Sequence, residues 1–180
     1  MLSSHVHSAP FLEDDVREAE ALLLQLLENA PFGTTVRVDL EGVRIASAAV
    51  RGLLRRPLRR LQGGEQAELR DRYIVLDNVS DSWHSVDVTM RSEDAIVAVH
   101  RQLHDPAQLL GKTDPAVRET YDFASSRDAV TANMLTKQFG LSIAAASNRL
   151  ATLARHGVIR KIDQRSTASG GREYVFHAIT

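Results

Sequence analysis

Between residues 130 and 157 the chain twice repeats one local pattern: a hydroxyl residue that can cap a helix, an apolar helical period, then a glycine. No other stretch limits the possible fold as sharply. Thr131 can accept a hydrogen bond from the first turn, Met134, Leu135 and Phe139 fall on one helical face, and Gly140 can end the helix in the left-handed region. Ser142 restarts the pattern with Ala146, Leu150 and Leu153, and Gly157 closes it. Only Gly140-Leu141 separates the two helices, so they must turn sharply across each other. Upstream, Asp114 caps a helix with Pro115 at its first position, running to about Ser125. Downstream, Val158 to Ile162 and Tyr174 to Ile179 read as strands around a loop, Gln164 to Arg172, rich in Ser, Thr, Gly and Arg.

The period changes in the first hundred residues. Leu12, Val16, Ala19, Leu22, Leu23, Leu26 and Leu27 recur three or four apart, predicting an amphipathic helix from Phe11 to Asn29 with an acidic outer face. Val36, Val38 and Leu40 alternate with polar residues and predict a strand. Ser47 is expected to cap a helix through about Leu54, and Pro57 to end or kink it. Gly63-Gly64 marks a loop, Tyr73 to Leu76 a buried strand, Asp81 to Met90 a helix, and Ala95 to Val99 a further strand. Strands separated by helices predict a small layered α/β unit. Asp105-Pro106 and Asp114-Pro115 disfavour helix at their first residues and mark a boundary. The expected organisation is a flexible tail over 1–10, an α/β domain over 11–104, a linker over 105–113 and a second domain over 114–180. The fold class is therefore α/β, in the broader sense α+β.

Charge is distributed unevenly although the chain holds 22 Lys+Arg against 23 Asp+Glu. Residues 129–180 carry only Asp163 and Glu173 against Lys137, Arg149, Arg155, Arg160, Lys161, Arg165 and Arg172. A basic end on a near-neutral chain points to a polyanion partner. The absence of cysteine excludes thiol nucleophiles, disulfides and cysteine-metal sites. Apolar runs such as Ala21 to Leu24 are far short of the roughly 20 residues of a spanning helix. With no basic and apolar leader in Met1 to Pro10, a cytoplasmic protein is expected.

Three short helices, a tight turn and a basic hairpin make a winged helix-turn-helix. In that arrangement the third helix enters the major groove and the hairpin follows the backbone. Ser142, Ile143, Ala144, Ser147 and Asn148 fall at the exposed start and middle of that helix, and Asn148 can read adenine in a bidentate way. Lys137, Arg149, Arg155, Arg160, Lys161, Arg165, Ser166, Thr167, Ser169 and Arg172 suit phosphates, and Gly170-Gly171 lets the hairpin turn tightly. Residues 130–177, in "VTANMLTKQFGLSIAAASNRLATLARHGVIRKI" and "GGREYVF", resemble the winged-helix domains of bacterial transcriptional regulators of the MarR/ArsR-like kind. The stretch "VRVDLEGVRIASAAVRGLL" (36–54) looks like the strand-to-helix signature of STAS domains, and more closely like STAS-like domains fused to DNA-binding modules. The phosphoacceptor serine of the antagonist family falls on Ala49, and Ser47 is read as a cap. This resemblance implies a non-catalytic module for sensing or protein contacts.

The expected partners are double-stranded DNA and, through the first domain, a second copy of the chain or another protein; the leucine-rich first helix is the candidate contact. An interaction subunit of a larger DNA-processing or defence assembly is the alternative. No catalytic residues, cofactor or metal are expected. Phosphate loops, dinucleotide motifs and nucleophile elbows are absent. Asp77, Asp81, His84 and Asp87 read as loop and cap residues. His100 and His104, if on a strand, stand about 13 Å apart and cannot share an ion. The cluster Arg51, Arg55, Arg56, Arg59 and Arg60 reads as a solvated face paired with the acidic first helix.

Overall fold

The computed structural model describes residues 13–62, 67–166 and 172–180. The expected tail over 1–10, the Gly63-Gly64 loop, Thr167, Ser169 and Gly170-Gly171 lie outside the described residues. Helix α1 (Glu13–Asn29) forms on the leucine period and packs against α2 (Ser47–Leu61). Strands β1 (Thr35–Asp39), β2 (Tyr73–Asp77) and β3 (Ile96–Val99) are parallel neighbours, with α2 joining the first two and α3 (Trp83–Ser92) the second two. Strand β4 (Gln108–Gly111) adds antiparallel to β3, giving the order β1-β2-β3-β4.

Sequence and structure differ at three places here. Helix α2 begins after Ala46, not Ser47, and runs through Pro57 to Leu61. A proline inside a helix forfeits one backbone hydrogen bond. Continuing the helix nevertheless buries Pro57, Leu58 and Leu61 in the same core as Val50, Leu53 and Leu54, and that burial decides the outcome. The segment expected as a linker, 105–113, holds β4: Leu109 and Leu110 pair with Ala98 and Val97. Asp77 is not a loop residue but is buried at the end of β2, where its two carboxylate oxygens accept bonds of 2.7 Å from Nε and Nη2 of Arg37.

Strands β2 and β3 are buried at every position because the sheet is covered on both faces. Ile74, Leu76, Val97, Val99 and Leu110 point into a core shared with α1, α2 and α3. Tyr73, Val75, Ile96, Ala98 and Leu109 point the other way, into a core with Tyr121, Leu135, Leu150, Leu153, Ile159 and Ile179. The second core belongs jointly to the α/β unit and the C-terminal unit, so the boundary drawn at 105–113 does not divide the packing. Two bonds cross it: Arg160 donates to the Gly33 carbonyl at 3.1 Å, and Arg37 Nη1 to the Thr180 carbonyl at 3.0 Å. The chain is thus a mixed α/β protein in three layers: helices, sheet, C-terminal unit. Among the described residues no helix is long and apolar enough to cross a membrane.

Candidate nucleic-acid interface

The C-terminal unit consists of α4 (Pro115–Ser125), α5 (Ala132–Phe139), α6 (Ile143–Arg155) and a three-stranded sheet. That sheet has the order β5 (Val130–Thr131), β7 (Arg172–Ala178), β6 (Ile159–Ser166). The three expected caps are made: Asp114, Thr131 and Ser142 accept bonds from the amides of Ala116, Met134 and Ala145. Gly140 and Gly157 follow α5 and α6 at φ of +65° and +70°, a region that L side chains rarely adopt. Glu173 on β7 accepts from the Asn133 amide in the first turn of α5, tying that helix to the hairpin.

Helix α6 turns Ala146, Leu150 and Leu153 into the core. Its opposite face carries Ser142, Ile143, Ala144, Ser147, Asn148 and Ala151, all exposed, with Ile143 retaining 51% of its surface. Apart from Ile143 and Asn148 these side chains are small, so another molecule can approach the backbone closely. Lys137 on α5 and Arg155 at the end of α6 are exposed as well.

The hairpin is longer than the sequence suggests. Strand pairing reaches Ser166↔Arg172, so Arg165, Ser166 and Arg172 stand on strands and not in a loop. Lys161 to Ser166 are all exposed, without the alternation of a half-buried strand. The hairpin therefore projects beyond the core, with solvent on both faces. Lys161 Nζ lies 3.5 Å from the centroid of the Tyr174 ring, and Arg165 is paired with Asp163 at 3.4 Å.

Two of the fifteen expected site residues are committed elsewhere. Arg149 is partly buried and bridges α6 to α4, donating to the Ala116 carbonyl at 3.3 Å, with Glu119 at 3.7 Å and the Phe139 ring beneath it. Arg160 faces the α/β unit through Gly33 and is withdrawn from the outer hairpin. Side chains missed in the sequence but standing on the same exposed surfaces are Asn133 and Gln138 on α5, and Ile162, Gln164 and Tyr174 on the hairpin. Asn133 and Gln138 fall on the polar face of the α5 period, which is the signal the sequence offered for them.

Elsewhere, Arg56 and Arg60 pair with Glu20 and Glu28 of α1, whereas Arg51, Arg55 and Arg59 share the single carboxylate of Glu93 at the end of α3. His100 follows β3 and His104 lies in the next turn, so both line one cleft of about 690 Å³ with Asp105, Gln108, Arg118 and Asp122. Neither is on a strand, so the strand spacing of about 13 Å does not apply to them. No group of three or more metal-ligating side chains occurs among the described residues. Burial raises the Asp122 carboxyl above its usual range, against the opposing charge of Arg118. No protein-family model matches the chain, and neither curated proteins nor solved structures give a match.

Proposed function

We propose that the C-terminal unit is a winged helix-turn-helix that binds double-stranded DNA, and that the protein is a cytoplasmic transcriptional regulator whose α/β unit is STAS-like and carries protein contacts or sensing. The observation that supports this most is the pairing of one uncovered helix face with one projecting basic hairpin. Residues 142–151 of α6 are packed on one side only, and the hairpin beside it carries Lys161, Arg165 and Arg172 into solvent. A major groove admits a helix with short outward side chains, and a strand pair with both faces free can track the neighbouring phosphates. Asn148 is the one bidentate base reader on that face. Lys137, Arg155, Lys161, Arg165 and Arg172 supply phosphate contacts, and Arg149 and Arg160 hold the scaffold.

The test is a fluorescence-anisotropy titration of a labelled mixed-sequence duplex with the full chain at several salt concentrations. Affinity falling linearly in log-log form, with a slope near the number of neutralised phosphates, is the expected result. Absence of binding at low salt overturns the reading and turns the search to a protein partner.

A further inference from the structure

Strand β1 is the outer strand of the four-stranded sheet, bonded to β2 alone. Its parity is fixed by two bonds: the Thr34 carbonyl accepts from the Tyr73 amide and the Leu40 amide donates to the Asp77 carbonyl, each at 3.0 Å. In a parallel pair both backbone groups of a residue point to the same side, so the even-numbered residues of β1 face β2. The amides and carbonyls of Thr35, Arg37 and Asp39 therefore face outward. Natural sheets protect such an edge with charges that repel a second strand. Here the charges alternate in sign: pairing β1 antiparallel with itself about Val38 sets Arg37 opposite Asp39 of the second copy in both directions, and Val36 opposite Leu40. Only one register has this property; centring on Arg37 would oppose two guanidiniums. Both charged side chains are already oriented, Arg37 by Asp77 and Asp39 by Asn78 at 2.8 Å. Helix α1, which precedes this strand and packs on α2, leaves Leu22 and Leu26 exposed at 42% and 38%, one turn apart, and Phe32 in the following turn is exposed at 69%.

We infer that the occupant of this edge is a second copy of the chain, joined strand to strand through β1 with Leu22 and Leu26 of the two α1 helices alongside. A two-fold axis relating antiparallel edge strands stands perpendicular to the sheet. It therefore keeps both C-terminal units on the same face of the joined eight-stranded sheet. Both α6 helices then face one side of the dimer, as two half-sites on one duplex require. That functional consequence rests on the DNA-binding reading; the dimer does not.

The experiment is made on the full chain without DNA, so its failure is distinguishable from failure of the DNA reading. Sedimentation equilibrium is expected to give twice the mass of one chain. Amide hydrogen exchange is expected to show the Arg37 and Asp39 amides, which have no partner within the described chain, protected at least tenfold as dimer forms. The double variant Leu22→Lys, Leu26→Lys, with unchanged far-ultraviolet circular dichroism, should weaken self-association at least tenfold and remove that protection together. A monomer at all concentrations overturns the inference, and so does a dimer whose Arg37 and Asp39 amides exchange as freely as in the monomer.

Discussion

Gly111 has φ of +111°, and a Cβ placed on it would stand 2.1 Å from the Ala95 carbonyl oxygen and 3.0 Å from the Met90 Cβ. The contact is with the backbone of Ala95, the residue that leads into β3, so nothing flexible can yield. Gly111→Ala is expected to cost about 3 kcal/mol or more, read as a lowered urea midpoint with unchanged slope. The Gly111 amide also donates to Asp87 at 3.0 Å, binding β4 to α3. In the sequence this glycine stood between two Asp-Pro steps and looked like a linker residue, because a close backbone approach leaves no mark on the residues around it. The expected DNA-facing residues separate by a comparable local test. Asn148→Ala should reduce discrimination between duplex sequences, whereas Arg165→Ala and Arg172→Ala should weaken binding to all of them and flatten the salt slope by about one each. Arg149→Ala should behave differently from both. It removes the bridge to Ala116 and Glu119, costing about 1–2 kcal/mol of stability by chemical denaturation while the salt slope stays the same.

Elements were legible wherever a period and its caps agreed. The three helices of the C-terminal unit begin at the cap residues named from sequence, since Asp, Thr and Ser satisfy orphan amides within their own turn and need no distant partner. Helix α2 and strand β4 are not legible for the opposite reason: proline within α2 and prolines flanking β4 are local deterrents, overridden by burial of α2 on the sheet and by pairing of β4 with β3. The hairpin extends past the expected strands because its outer residues pair backbone to backbone while showing no apolar alternation. At the end of α6, His156 has its ionisation lowered chiefly by burial, with Arg155 adding to the effect and Asp94 opposing it. A base whose folded value lies below the ordinary 6.5 is bound more readily by protons in the unfolded chain. Stability is then full above about pH 6.5 and declines as the pH falls toward the folded value. Thermal unfolding across pH 5 to 8 should show this decline in the native sequence and a weaker one in His156→Gln.

At the scale of the molecule, the sheet is the common wall of two cores. Tyr73, Val75, Ile96, Ala98 and Leu109 would be left exposed if the C-terminal unit came away, and so would Leu150, Ile159 and Ile179 on the other side. Unfolding is accordingly expected as one transition, with Trp83 fluorescence and far-ultraviolet circular dichroism giving coincident curves; two separated transitions would show that the units hold themselves independently. The same wall fixes the geometry of the proposed interface, because α6 and its hairpin can face outward only by turning Leu150, Leu153 and Ile159 toward the sheet. By itself the sequence determined the six helices, the strands β1, β2, β3, β6 and β7, the caps of the last three helices, and the basic character of the last fifty residues, all of which follow from spacings of a few residues. Only the tertiary structure decided that residues 108–111 are a strand, that α2 continues through Pro57, that Arg149 and Arg160 serve the scaffold, and that Asp77 is buried against Arg37. Each of those depends on what packs on a segment from elsewhere in the chain, and burial and charge pairing across 40 or more residues are not encoded in any local spacing.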